Sequence, residues 1–157
     1  MTINVGVLVC QGHVKGPRLL DGRTGDGSVA LTNNSSFSGT RWRIHDPGND
    51  IWILECLGED QGPRFLDGHT ADASVHLAPH TNAPFSGTRW LRTFLPNSNV
   101  FSLRCMGTGP GDRRFLDGNT GQATVAMASN IDFPFTGTHW KLEIPFGDDN
   151  VAVPASG

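Results

Sequence analysis

The chain writes one segment three times: GPRLLDGRTGDGSVALTNNSSFSGTRW, GPRFLDGHTADASVHLAPHTNAPFSGTRW and DRRFLDGNTGQATVAMASNIDFPFTGTHW. A unit of this size cannot bury its apolar face alone, so the copies must stack and share one core. Asp21, Asp67 and Asp117 recur at intervals of 46 and 50 residues, and Trp42, Trp90 and Trp140 at 48 and 50. A ligand site made from repeated residues is therefore expected up to three times.

The 157 residues read as a single domain, with repeats at about 4–46, 50–95 and 99–144 and a C-terminal tail at 145–157. A chain of this length buries enough surface for a continuous core without a metal or disulfide. Its net charge of -3 and the absence of any run of like charge exclude a nucleic-acid footprint and a polybasic membrane patch. The N-terminal stretch MTINVGVLVCQGHVKG has no basic leader and only a short apolar run. It predicts neither a signal peptide nor a membrane span, and a cytoplasmic or non-classically secreted protein.

Period-two alternation places Trp52, Leu54 and Cys56 on one strand face, and Phe101, Leu103 and Cys105 on another. Cys10, Cys56 and Cys105 are thus expected to point inward as reduced thiols. Three thiolates without a repeated histidine would leave a tetrahedral metal site incomplete, so no cofactor is expected. Each repeat divides into a strand ending at its cysteine, a second through Leu-Asp, a tight turn at Gly25-Asp26-Gly27 or its equivalents, a third at Val-x-Leu or Val-x-Met, and a fourth from the Gly-Thr-x-Trp box. Four strands taken three times make twelve. The class is all-β, with Pro47 and Pro96 at the repeat junctions.

These motifs resemble the R-type, ricin-B-like lectin repeat. The matching text is Leu20-Asp21, Val29-Ala30-Leu31 and Thr40-Arg41-Trp42 in the first copy. The second has Leu66-Asp67, Val75-His76-Leu77 and Thr88-Arg89-Trp90, and the third Leu116-Asp117, Val125-Ala126-Met127 and Thr138-His139-Trp140. The resemblance implies a β-trefoil of pseudo-threefold symmetry that binds glycans at shallow pockets by the repeat hairpins, without catalysis. It departs from the family in having threonine for the glutamine of the closing box. The stacking aromatic after the third strand is also replaced, by Thr32, Ala78 and Ala128.

By the same resemblance the sugar-holding carboxylates are Asp21, Asp67 and Asp117, each able to accept from two adjacent hydroxyls. An alternative role is a turn clamp on Thr24, Thr70 or Thr120. Asn33, His80 and Phe133 are the candidates to line the region the missing aromatic leaves. His69, His76 and His80 gather around Asp67, whereas the other copies offer Arg23 with Ala30 and Asn119 with Ala126. The middle pocket therefore ranks first, and titration of its histidines predicts pH-dependent binding there. The tryptophans are expected in the core, Phe37, Phe85 and Phe135 in the same layer, and Arg18, Arg64 and Arg114 in a solvated ring.

No nucleophile elbow, phosphate loop, paired carboxylates or Cys-His couple is visible, so an enzyme is not expected. The alternative function is a protein-binding domain, such as a protease inhibitor, acting through the loops Ala78–Ala83 and Ser129–Phe133. The expected partners are glycans or glycoconjugates, or in that alternative a protein, with no nucleic acid and no membrane insertion. The tail is expected to lie near the N-terminus or fray.

Overall fold

A computed structural model of the chain describes residues 4–132 and 136–144. The tail at 145–157, Phe133 and Phe135 lie outside the described residues. Among the described residues twelve strands form, in the places the repeated text predicts. The opening strands β1 (Asn4–Cys10), β5 (Ile51–Cys56) and β9 (Phe101–Cys105) end at the three cysteines. The hairpins are β2 (Leu19–Arg23) with β3 (Ser28–Thr32), β6 (Phe65–His69) with β7 (Ser74–Ala78), and β10 (Phe115–Asn119) with β11 (Thr124–Ala128). The closing strands β4 (Trp42–Gly48), β8 (Trp90–Phe94) and β12 (Trp140–Glu143) each begin at the boxed tryptophan, just after a three-residue 3-10 turn. Pro47 sits where β4 shifts register between His45 and Gly48, a place that needs no ladder donor.

The pairing corrects the expected β-trefoil. Nine strands close an antiparallel barrel in the order β1-β2-β3-β11-β10-β9-β8-β5-β4, returning to β1, while β6, β7 and β12 lie outside that ring. The cause is the bridge Thr124↔Ala30, which joins β11 to β3 and so builds the hairpins of the first and third repeats into the wall. The middle hairpin bridges only to β5 through Glu55↔Phe65, and β12 lies against β1 and β9. Text repeated three times does not oblige each copy to take the same place in a ladder.

Local equivalence between the copies is nevertheless close. Backbone hydrogen bonds from Leu31 to Ala123, Leu77 to Gly27 and Met127 to Ala73 tie the three hairpin ends together. Trp42, Trp90 and Trp140 are fully buried, and their indole N–H groups donate to the Leu20, Leu66 and Leu116 carbonyls at 2.9, 3.0 and 2.9 Å. Leu8, Leu54 and Leu103 fill the layer beside them. Each such side chain contributes about 1.5–3 kcal/mol by leaving water.

The cysteines point inward as the alternation predicts, free and fully buried. Each thiol lies between two glycine carbonyls of the preceding copy, with the first copy closing on the third: Cys56 on Gly22 and Gly39, Cys105 on Gly68 and Gly87, Cys10 on Gly118 and Gly137. This contact explains the glycine after each repeat aspartate. A β-carbon at Gly22, Gly68 or Gly118 would stand 2.8 Å from the facing sulfur.

Candidate functional site

In β2 the alternation sends Leu20 into the core and Asp21 to the other face, yet Asp21 is only 6% exposed. It is covered because the Ser38–Thr40 turn folds back over it, and a β-carbon on Gly39 would collide with Asp21 Oδ1 and the Gly22 carbonyl. The same cover recurs at Gly87 over Asp67 and at Gly137 over Asp117. Burial raises the pKa of all three aspartates above the ordinary carboxylate value. Arg23 partly offsets this at Asp21, and His69 and His76 do so at Asp67.

Their partners differ. Asp67 receives His69 Nε2 at 3.2 Å, and the register sets His76 directly opposite it on β7. The His69 and His76 rings stand 5.0 Å apart, so these two residues do gather at Asp67. His80 does not join them as a carboxylate partner; its ring meets the edge of Phe85 at 4.9 Å. Opposite Asp21 and Asp117 the register places Ala30 and Ala126. Among the described residues no hydrogen bond reaches the Asp21 or Asp117 carboxylate, leaving burial and, at Asp21, the charge of Arg23 to act on it.

The turn-clamp alternative finds no support in the hydrogen bonds. The hairpins are closed by other aspartates: Asp26 accepts from the Ser28 amide and hydroxyl at 3.0 and 2.8 Å, and Asp72 does the same from Ser74 at 3.0 and 2.7 Å. In the third copy Asn119 takes that work, its Oδ1 accepting from the Gly121 and Gln122 amides, both at 3.1 Å. Asn119 is thereby committed to its own turn. Thr120 donates to the Val14 carbonyl at 2.6 Å, holding the loop that follows β1.

A cleft of about 660 Å³ opens over Asp21. Its walls are the first hairpin through Arg23 and Asp26, the segment Ser36 to Gly39, and Gly58 to Asp60 from the loop after β5. The cleft is thus shared between two repeats. Phe37 lines it at 49% exposure, which corrects the expectation that this ring belongs to the core layer. Phe37 precedes a 3-10 turn whose tight backbone turns Gly39 and Thr40 inward and leaves the ring outside. Asn33 is exposed further back in the loop and does not line the cleft.

The arginine ring also needs correction. Arg64 donates to the Cys56, Gly58 and Asp60 carbonyls at 3.1, 2.7 and 2.8 Å, and Arg114 to those of Cys105, Gly107 and Gly109 at 3.3, 2.7 and 2.8 Å. Arg18 holds Cys10, Gly12 and Val14 in the same way. A guanidinium fork can satisfy several carbonyls at once, so each arginine fixes the loop after its repeat's opening strand, and Arg64 thereby holds the wall of the Asp21 cleft. Among the described residues no three His, Cys, Asp or Glu side chains converge to hold a metal, and no helix is long and apolar enough to cross a membrane.

No family model and no curated protein matches the chain.

Proposed function

We propose that this protein is a non-catalytic, lectin-like carbohydrate-binding module, with up to three shallow pockets at the repeat aspartates. The observation that carries the reading is the Asp21 carboxylate: nine-tenths buried, free of hydrogen bonds among the described residues, and set in the lining of an open cleft beside an exposed phenyl ring. Its oxygens open into the cleft, where a ligand can supply the donors that the protein does not. Two sugar hydroxyls would do so, while the apolar face of the ring lay on Phe37. The resemblance to R-type lectin repeats points to the same aspartate.

The Asp21 cleft is open to solvent, so single-site affinity is expected near millimolar and useful binding rests on several sites engaging clustered glycans. A glycan array probed with the whole chain, followed by titration calorimetry of the best ligand against Asp21→Asn, Asp67→Asn and Asp117→Asn, tests the reading. Binding that is reduced stepwise by these variants while far-UV circular dichroism stays unchanged supports it. No glycan bound by the unaltered protein, in clustered or single form, ends it.

A further inference from the structure

The Asp21 cleft differs from its two counterparts in charge. Around the unpartnered Asp21 stand Asp26, Glu59 and Asp60, against the single cation Arg23. Asp26 is held below the usual carboxylate range by the Ser28 amide and hydroxyl, so it is ionised at neutral pH. Glu59 is fixed at the rim because its amide donates to Ser38 Oγ at 3.1 Å, and Asp60 lies over Gly25, where a β-carbon would meet its Oδ2 at 3.0 Å. The Arg64 fork holds this loop from beneath through the Gly58 and Asp60 carbonyls.

Counting from the preceding cysteine, the positions of Glu59 and Asp60 are taken by Thr108 and Gly109 beside Asp67, and by His13 and Val14 beside Asp117. The acidic wall is therefore a property of one cleft and not of the repeat. We propose, building on the carbohydrate reading above, that the Asp21 cleft selects a sugar bearing a free ammonium group over its neutral or anionic counterparts. The Asp21 carboxylate accepts from the ammonium, Asp26, Glu59 and Asp60 lower the potential where it enters, and Phe37 presents a ring face to it. Arg23 donates to the sugar's hydroxyl oxygens and repels a carboxylated sugar.

The test is calorimetric titration at low ionic strength with four probes: a β-1,4-linked glucosamine trimer with free amines, its N-acetylated form, a galacturonic acid trimer and trilysine. The expected result is binding of the free-amine trimer about tenfold tighter than its N-acetylated form. Asp21→Asn should remove the preference for the free-amine trimer, leaving whatever binding the other two aspartates support, and the double variant Glu59→Gln/Asp60→Asn should bring the two trimers together. Equal affinity for both trimers overturns the charge selection while leaving the carbohydrate reading in place. Trilysine binding as well as the free-amine trimer overturns the assignment to an amino sugar, and an undiminished amine preference in Asp21→Asn overturns its assignment to this cleft. If no saccharide binds, including those of the glycan array, both readings fall.

Discussion

Asp21 Oδ1 and the α-carbon of Gly39 face each other so closely that a β-carbon on the glycine has no room. The Gly22 carbonyl closes the same space from the other side. Gly39→Ala must push the 3-10 turn off the aspartate, and the expected loss is about 1–3 kcal/mol of stability, as for other overpacked sites. Urea unfolding measures it. A variant as stable as the parent would show that the turn does not cover Asp21 this tightly.

Removing the Asp21 charge should act in the other direction. Burial raises its folded pKa above the ordinary 3.8, with Arg23 opposing. Between those two values the folded chain holds more protons than the unfolded one, so this group's contribution to stability falls as pH rises through the window. Asp21→Asn is therefore expected to be at least as stable as the parent at pH 7, with its advantage vanishing below about pH 3.8, where both states carry a neutral carboxyl. Denaturant midpoints at neutral and acid pH check this. Marked destabilisation at pH 7 would mean that the carboxylate is a structural acceptor.

The thiols should be silent in the native state. Burial pushes Cys56 up to about 11 and raises Cys10 and Cys105, and all three sulfurs lie between carbonyls inside the barrel. A thiolate-specific reagent at pH 8 should label none of them until denaturant unfolds the chain. Since a raised folded pKa is lost as a stabilising contribution when pH climbs from 9.0 toward 11, alkaline unfolding should accompany their ionisation. Prompt native labelling at pH 8 would contradict the burial.

Arg64 is expected to matter for stability more than an exposed arginine does. Arg64→Ala leaves the Cys56, Gly58 and Asp60 carbonyls without their shared donor and should cost about 1.5–3 kcal/mol. Arg64→Lys should recover only part, because one ammonium cannot span the three acceptors. A thermal-melt series of the two variants gives the answer, and full rescue by lysine would argue for charge alone.

Strand positions, the inward cysteines and the buried tryptophans were legible because each rests on short-range pattern: alternation, a turn signal, a boxed residue at a strand start. Closure of the ladder was not, since it depends on a bridge between Ala30 and Thr124, far apart in sequence, that nothing in either repeat announces. The repeat aspartates could be read as candidates, but Asp26, Asp72 and Asn119 had to be seen in place before the turn-clamping role could be given to them. Phe37 was misplaced because an aromatic two residues before a buried glycine reads as core. The recurrence of Arg18, Arg64 and Arg114 at a matching place after each cysteine was the available sign that these cations had work inside the protein, where each binds at least three carbonyls of the loop before it.

The wall of the Asp21 cleft is lent by the following copy, and the loop after β1 is held in turn by Thr120 of the last. A peptide holding one copy alone thus carries a floor without its wall and a wall without its floor. It could make a complete recess only by assembling with others head to tail. A circular permutant opening ahead of the third copy, by contrast, would keep the Asp21 recess whole provided the old ends were joined. Ligand preference at one recess could then be moved to another by transplanting the loop between cysteine and arginine, with the aspartate beneath it left untouched.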